Sequence, residues 1–135
     1  MIIFDSSAIL ALIFEENGSE KVKQLCLEAQ QQKQSIFIHQ INFIEVIYNC
    51  EKKYPEYRVA ELIGQFESPW WGKVNYLDLD LAMIAADLKK KFQFLSLGDS
   101  IGLAWTKITK GTFWTADQIL AEIGQKEQID VQLIR

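Results

Sequence analysis

The 135-residue chain has one histidine and two cysteines. A single imidazole, His39, rules out catalysis by two histidines acting as acid and base. With the scattered Cys26 and Cys50 it offers no zinc-ligand spacing. Two cysteines are too few for a disulfide scaffold and fit a reduced compartment. Long apolar runs are also missing, since a charge breaks each candidate within the ~18 residues a membrane helix needs. There is no GxxxxGK[ST] phosphate loop, no internal repeat and no low-complexity tract. The opening "MIIFDSS" lacks the basic flank and apolar stretch of a signal peptide. Nor is there a basic surplus. The formal net charge of -4 argues against a broad basic face for nucleic acid. It leaves room for an enzyme whose acids are neutralised by metal, or one that borrows surface from a partner. The expectation is a cytoplasmic protein of one domain, residues 1–135, able to bury a core without staples.

What the chain does have is alternation. "MIIF" reads as a short buried strand, followed by a helix from Ser6 through "AILALIF". "NGSEKVKQLCLEAQQQ" gives a turn and then a helical stripe of Val22, Leu25, Cys26 and Ala29. "SIFIH" is a second strand, and "QINFIEVIYNCEKK" a helix closing before Pro55. "RVAELIGQF" is a further helix, "KVNYLDL" an alternating strand, and "LDLAMIAADLKKKF" a helix with a basic C-terminal end. "GDSIGLAWTKITKG" predicts a helix ended by Gly111, "TFWT" a buried strand, "DQILAEIG" a short helix, and "IDVQLI" an edge strand. Strands alternating with helices require crossover connections. The fold class expected is therefore α/β, a three-layer α/β/α arrangement with a mostly parallel central sheet. Ligands of such sheets sit at the carboxyl ends of strands, near a switch in strand order.

Four acids fall where that edge should be. Asp5 directly follows the first strand, and Asp117 follows "TFWT" after one residue. Asp99 is expected to cap the helix leading into that strand. Glu45 lies on a helix face with Ile41, Ile44 and Tyr48, with no basic residue in its own segment. Each acid also has a plain structural reading. Asp5, Asp99 and Asp117 are good N-caps, and Glu45 could pair with a distant lysine or bend toward solvent. If they converge, their mutual repulsion calls for a cation, and an all-oxygen donor set suits Mg²⁺ or Mn²⁺. Such an ion at a strand edge is suited to phosphate chemistry.

The fragments "IIFDSSAILAL", "INFIEV", "LSLGDSIGLAW" and "FWTAD", in this order along nearly the whole chain, resemble the PIN domain, specifically the VapC-type ribonuclease toxins. The resemblance implies that Asp5, Glu45, Asp99 and Asp117 are catalytic and metal-binding acids, with Ser7 and Thr115 as supporting hydroxyls. It implies Mg²⁺- or Mn²⁺-dependent hydrolysis of RNA phosphodiesters by activated water, a homodimer, and a cognate antitoxin whose tail covers the site. Three positions depart from the family pattern. Ser6 stands where Thr is common, Gly98 where Ala is common, and Asn42 where a hydroxyl residue often precedes the glutamate.

Other classes fit less well. A receiver domain wants paired acids after the first strand and a lysine after the last buried one. A haloacid-type phosphatase wants an aspartate where Ser7 stands. A catalytically silent PIN-like binding module would have lost an acid. Elsewhere, the Lys89–Lys91 run reads as a solvated helix end or an RNA contact, and Lys107 and Lys110 as candidate phosphate contacts. Of the adjacent Trp70 and Trp71, core packing of the loop is the expected role, the alternative being that one is available to a partner. Phe14, Ile9, Leu10 and Ile13 are expected in the core, and Cys26 and Cys50 as inert packing residues.

Overall fold

Ile2–Phe4 is extended as β1, and its side chains alternate as the strand period demands. Phe4 enters one buried cluster and Ile3 another on the opposite face. That alternation builds three layers. In the computed structural model, which describes residues 1–135, α1 (Ser6–Ile13), α2 (Ser19–Gln31), α3 (Gln40–Lys53) and α4 (Glu56–Gly64) pack on the Phe4 side. The Ile3 side is covered by α5 (Leu79–Lys91), α6 (Leu97–Thr109) and α7 (Gln118–Glu127). A 3₁₀ turn at Gln65–Glu67 follows α4. No helix is long and apolar enough to cross a membrane.

The sheet comprises β1, β2 (Ile36–His39), β3 (Trp71–Val74), β4 (Thr112–Thr115) and β5 (Val131–Leu133), in the order β3-β2-β1-β4-β5. Every pairing is parallel, with Ile3 opposite Phe37 on one side and Phe113 on the other. The chain leaves β1 for β2 and β3 on one side, then returns to β4 and β5 on the other. The switch in strand order thus lies between β1 and β4, where an open parallel sheet leaves a crevice at its carboxyl edge.

Three element boundaries differ from those read off the sequence. The strand expected over "KVNYLDL" lies earlier, at Trp71–Val74, because it pairs with β2, whose last residue His39 faces Val74. Beyond His39 the partner becomes α3 and offers no ladder. The helix expected through "GQF" breaks at Gly64 into the 3₁₀ turn. The last helix does not stop at Gly124 but runs to Glu127. Gly124 is a packing residue there, since a Cβ would lie 2.6 Å from Val131 Cγ2.

The core expectations hold for Ile9, which is fully buried, and for Leu10, Ile13 and Phe14, which pack against its cluster. Trp71 packs inward 4.6 Å from the Phe66 ring, and Trp70 remains part-exposed. Cys50 is buried and Cys26 half-buried; both are free thiols, and burial pushes Cys26 up to about 11. Neither has the thiolate character that reactivity requires.

Candidate active site

The carboxyl edge of β1 and β4 gathers the hydroxyl and acid side chains. Asp5 leaves β1 in extended conformation and caps α1, accepting the Ser6 backbone N–H at 2.8 Å through Oδ1. It is 4% exposed. Its other oxygen, Oδ2, accepts from the Ser7 hydroxyl at 2.6 Å and the Thr115 hydroxyl at 2.8 Å. Ser7 in turn accepts the Ala116 N–H at 2.9 Å, and Thr115 Oγ1 accepts the Asp117 N–H at 3.1 Å. The two hydroxyls therefore join the ends of β1 and β4. They also fix the Asp5 carboxylate from below.

Glu45 reaches this group from α3. Its Oε2 accepts from the Ser6 hydroxyl at 2.7 Å, and its Oε1 lies against the first turn of α6 at Gly98. The sequence reading put Glu45 on a buried apolar face. Ile44 and Tyr48 are instead exposed, and Glu45 sits half-buried where α3 crosses α6. Nor does it pair with a distant lysine; none of the five ion pairs includes Glu45, Asp5, Asp99 or Asp117.

Asp99 is not the N-cap expected of it. Ser96 caps α6, its Oγ accepting the Asp99 N–H at 3.0 Å. This is a serine N-cap. The pattern [ST]-x-x-[DE], read at Ser96–Asp99, would have revealed it. The Asp99 carboxyl is pushed up to about 6, first by burial and then by the negative charge of Asp5, with a smaller push from Glu45. Three acids from three elements therefore share one field.

Asp117 occupies the expected N-cap of α7, its Oδ1 accepting the Ile119 N–H at 2.8 Å. It is exposed, and it is joined to the others through the Thr115 hydroxyl rather than by burial. No group of three or more His, Cys, Asp or Glu side chains stands at metal-holding distance. Ser6 donates to the Glu45 carboxylate, while Ser96 accepts the Asp99 backbone N–H. The donor chemistry nonetheless fits a hard divalent cation: every candidate ligand is an oxygen, and the clustered charge has no lysine or arginine partner.

Residues 2–126 match the family model of the PIN domain. The chain belongs to the PIN domain family. Among solved structures, this PIN domain is similar to a toxin–antitoxin complex from Klebsiella pneumoniae, at 20% identity, TM-score 0.64 and 90% coverage of both chains. It is also similar to VapBC2 from Rickettsia felis bound to a DNA fragment from their promoter, at 11% identity, TM-score 0.74 and 98% coverage of both chains. FitAcB from Neisseria gonorrhoeae matches at 15% identity and TM-score 0.66, with 97% of this chain and 96% of that chain covered. At such identities the likeness is one of fold. No curated protein sequence matches the chain significantly.

The lysines singled out in the sequence lie away from the PIN-domain acids. Lys107 follows Asp99 by eight residues of α6, roughly 12 Å along the axis, and Lys110 lies beyond it, just before β4 begins. Both lie toward the amino edge of the sheet, where β4 begins. Of the Lys89–Lys91 run, Lys89 donates to the Gln93 and Leu95 carbonyls, and Lys91 bridges Asp87 and Glu127. These contacts favour the structural reading of that run.

Proposed function

We propose that this PIN domain is a Mg²⁺- or Mn²⁺-dependent endoribonuclease toxin that hydrolyses RNA phosphodiester bonds and is restrained by a cognate antitoxin. The observation that carries this is the grouping of Asp5, Glu45 and Asp99 at one sheet edge with no ion pair to any of them. An Asp99 carboxyl raised to about 6 by burial beside Asp5 and Glu45, with no basic residue paired to any of them, marks a charge cluster lacking its counter-ion. In this reading Asp5, Glu45, Asp99 and Asp117 would hold the ion, which when bound would acidify a water and neutralise a phosphate oxygen. Ser7 and Thr115 keep the Asp5 carboxylate aimed at the edge. Ser96 keeps Asp99 on the first turn of α6. The antitoxin partner and a homodimeric state are proposed from the family and from the toxin–antitoxin complexes that share the fold. A reducing cytoplasm suits the two free thiols.

One observation favours a second reading, a PIN domain that binds a partner without cutting: no three acids stand at metal-holding distance. Purified protein decides between them. The endoribonuclease cleaves RNA only with Mg²⁺ or Mn²⁺, and Asp5→Ala and Asp99→Ala reduce the rate by at least about 10²-fold while circular dichroism stays that of the parent. Cleavage by both variants at the parent's rate would remove these acids from the mechanism. A parent that binds no divalent ion by calorimetry would support the silent module.

A further inference from the structure

Glu45 lies mid-helix, so unlike Asp5 and Asp117 it is not placed by a strand end or a cap. Two contacts fix its carboxylate instead. The Ser6 hydroxyl has one proton and two acid neighbours, Glu45 Oε2 at 2.7 Å and Asp5 Oδ1 at 3.3 Å. The shorter bond goes to Glu45, and Asp5 Oδ1 is served by the Ser6 backbone N–H at 2.8 Å. One serine thus holds two carboxylates side by side. On the other flank, Glu45 Oε1 fills the space a side chain at position 98 would occupy, since a Cβ there would lie 2.9 Å from it. Asn42, one turn before Glu45 and 1% exposed, donates from Nδ2 to the Gly98 carbonyl at 3.1 Å. It pins the helix bearing Glu45 to the turn that makes room for it.

We propose that Ser6, Asn42 and Gly98 form a seat that positions Glu45 beside Asp5 and Asp99, and so sets how tightly the site holds a divalent cation. This rests on the metal-dependent reading above. Ser6 acts by donating a hydrogen bond, Gly98 by having no side chain, and Asn42 by fixing the distance between α3 and α6. A methyl group at 98 displaces the carboxylate rather than the backbone, because the Glu45 terminus is the part free to rotate. Alanine is otherwise favoured over glycine within a helix. Gly98→Ala therefore separates the role in the site from any role in stability.

Calorimetric titration of Mn²⁺ into the full chain, with thermal unfolding of each variant, tests the seat. Ser6→Ala and Gly98→Ala are expected to weaken Mn²⁺ binding about tenfold each, and Ser6→Thr to keep the parent's affinity. The melting temperature of Gly98→Ala should be unchanged or raised. In a Glu45→Ala background, Gly98→Ala should add nothing, since the group it displaces is gone. The seat is overturned if Gly98→Ala and Ser6→Ala bind as the parent does while Asp5→Ala has lost the ion. It is also overturned if Gly98→Ala weakens binding equally with and without Glu45. Failure of the underlying reading looks different: the parent binds no Mn²⁺, or Asp5→Ala binds it unchanged, and the seat falls with it.

Discussion

Asp99 is under two opposed demands, and its protonation records them. Burial and the neighbouring charges of Asp5 and Glu45 raise it from an ordinary 3.8 to about 6, against hydrogen bonds from Ser96 that favour the charged form. Between these two values the folded chain holds a proton that the unfolded chain has released. Stability of the metal-free protein from this group is therefore full below about 4, and declines as pH rises to about 6. Asp99→Asn removes the charge and keeps the shape. It should raise the metal-free stability at pH 7.5 by about 1 kcal/mol in urea unfolding and abolish the RNA cleavage proposed above. A variant destabilised at that pH would show that charge crowding does not govern the residue. Mn²⁺ affinity of the parent should also fall as pH drops below about 6, because the ion must displace the Asp99 proton.

The acids differ in how far the chain's own pattern reveals them. Asp5 and Asp117 could be read because each terminates an apolar strand, and position along a strand is local information. Glu45 could be picked out as an acid inside an apolar run, but the inferred buried face was wrong, since Ile44 and Tyr48 face solvent. Its real environment is made by residues 39 and 53 positions away, Ser6 and Gly98. No periodicity carries such contacts. The three departures from the family pattern, Ser6, Asn42 and Gly98, looked unrelated in the sequence. In the fold Ser6 and Gly98 border Glu45, and Asn42 bonds to the Gly98 carbonyl.

At the scale of elements, boundaries follow from partners more than from propensity. α6 begins at Leu97 rather than Asp99 because Ser96 caps it, accepting the Asp99 N–H. Ser96→Ala should cost about 1 kcal/mol of stability by urea unfolding, and it should also loosen the one turn that carries Asp99. An unchanged midpoint would mean the cap contributes nothing. β3 is shorter and earlier than its alternating pattern suggests, because β2 ends at His39 and leaves Tyr76 without a ladder partner. The Tyr76 carbonyl is met instead by His39 Nε2 at 2.9 Å. The glycine in α7 reads as a stop by composition, yet it lies inside the helix, where Val131 approaches too closely for a side chain. Punctuation by glycine is ambiguous until the neighbour across the layer is known.

For the molecule as a whole, layer order and strand direction were legible because strands separated by helices can join only by crossovers. The order β3-β2-β1-β4-β5 was not. It matters most, since it places the chain reversal between β1 and β4, and so brings residues 5 and 115–117 together with the turn of α6. The fold thus gathers negative charge at one edge and leaves Lys107 and Lys110 near the other. Two clusters, around Phe4 and around Ile3, hold the two helical layers against the sheet. The crowded edge sits above them without a cation of the protein's own. The central claim is that a divalent ion completes it. Anomalous diffraction from crystals grown with Mn²⁺ tests this most directly: the account predicts one strong peak bounded by the Asp5, Glu45 and Asp99 carboxylates. Density lacking any peak at that edge would contradict it.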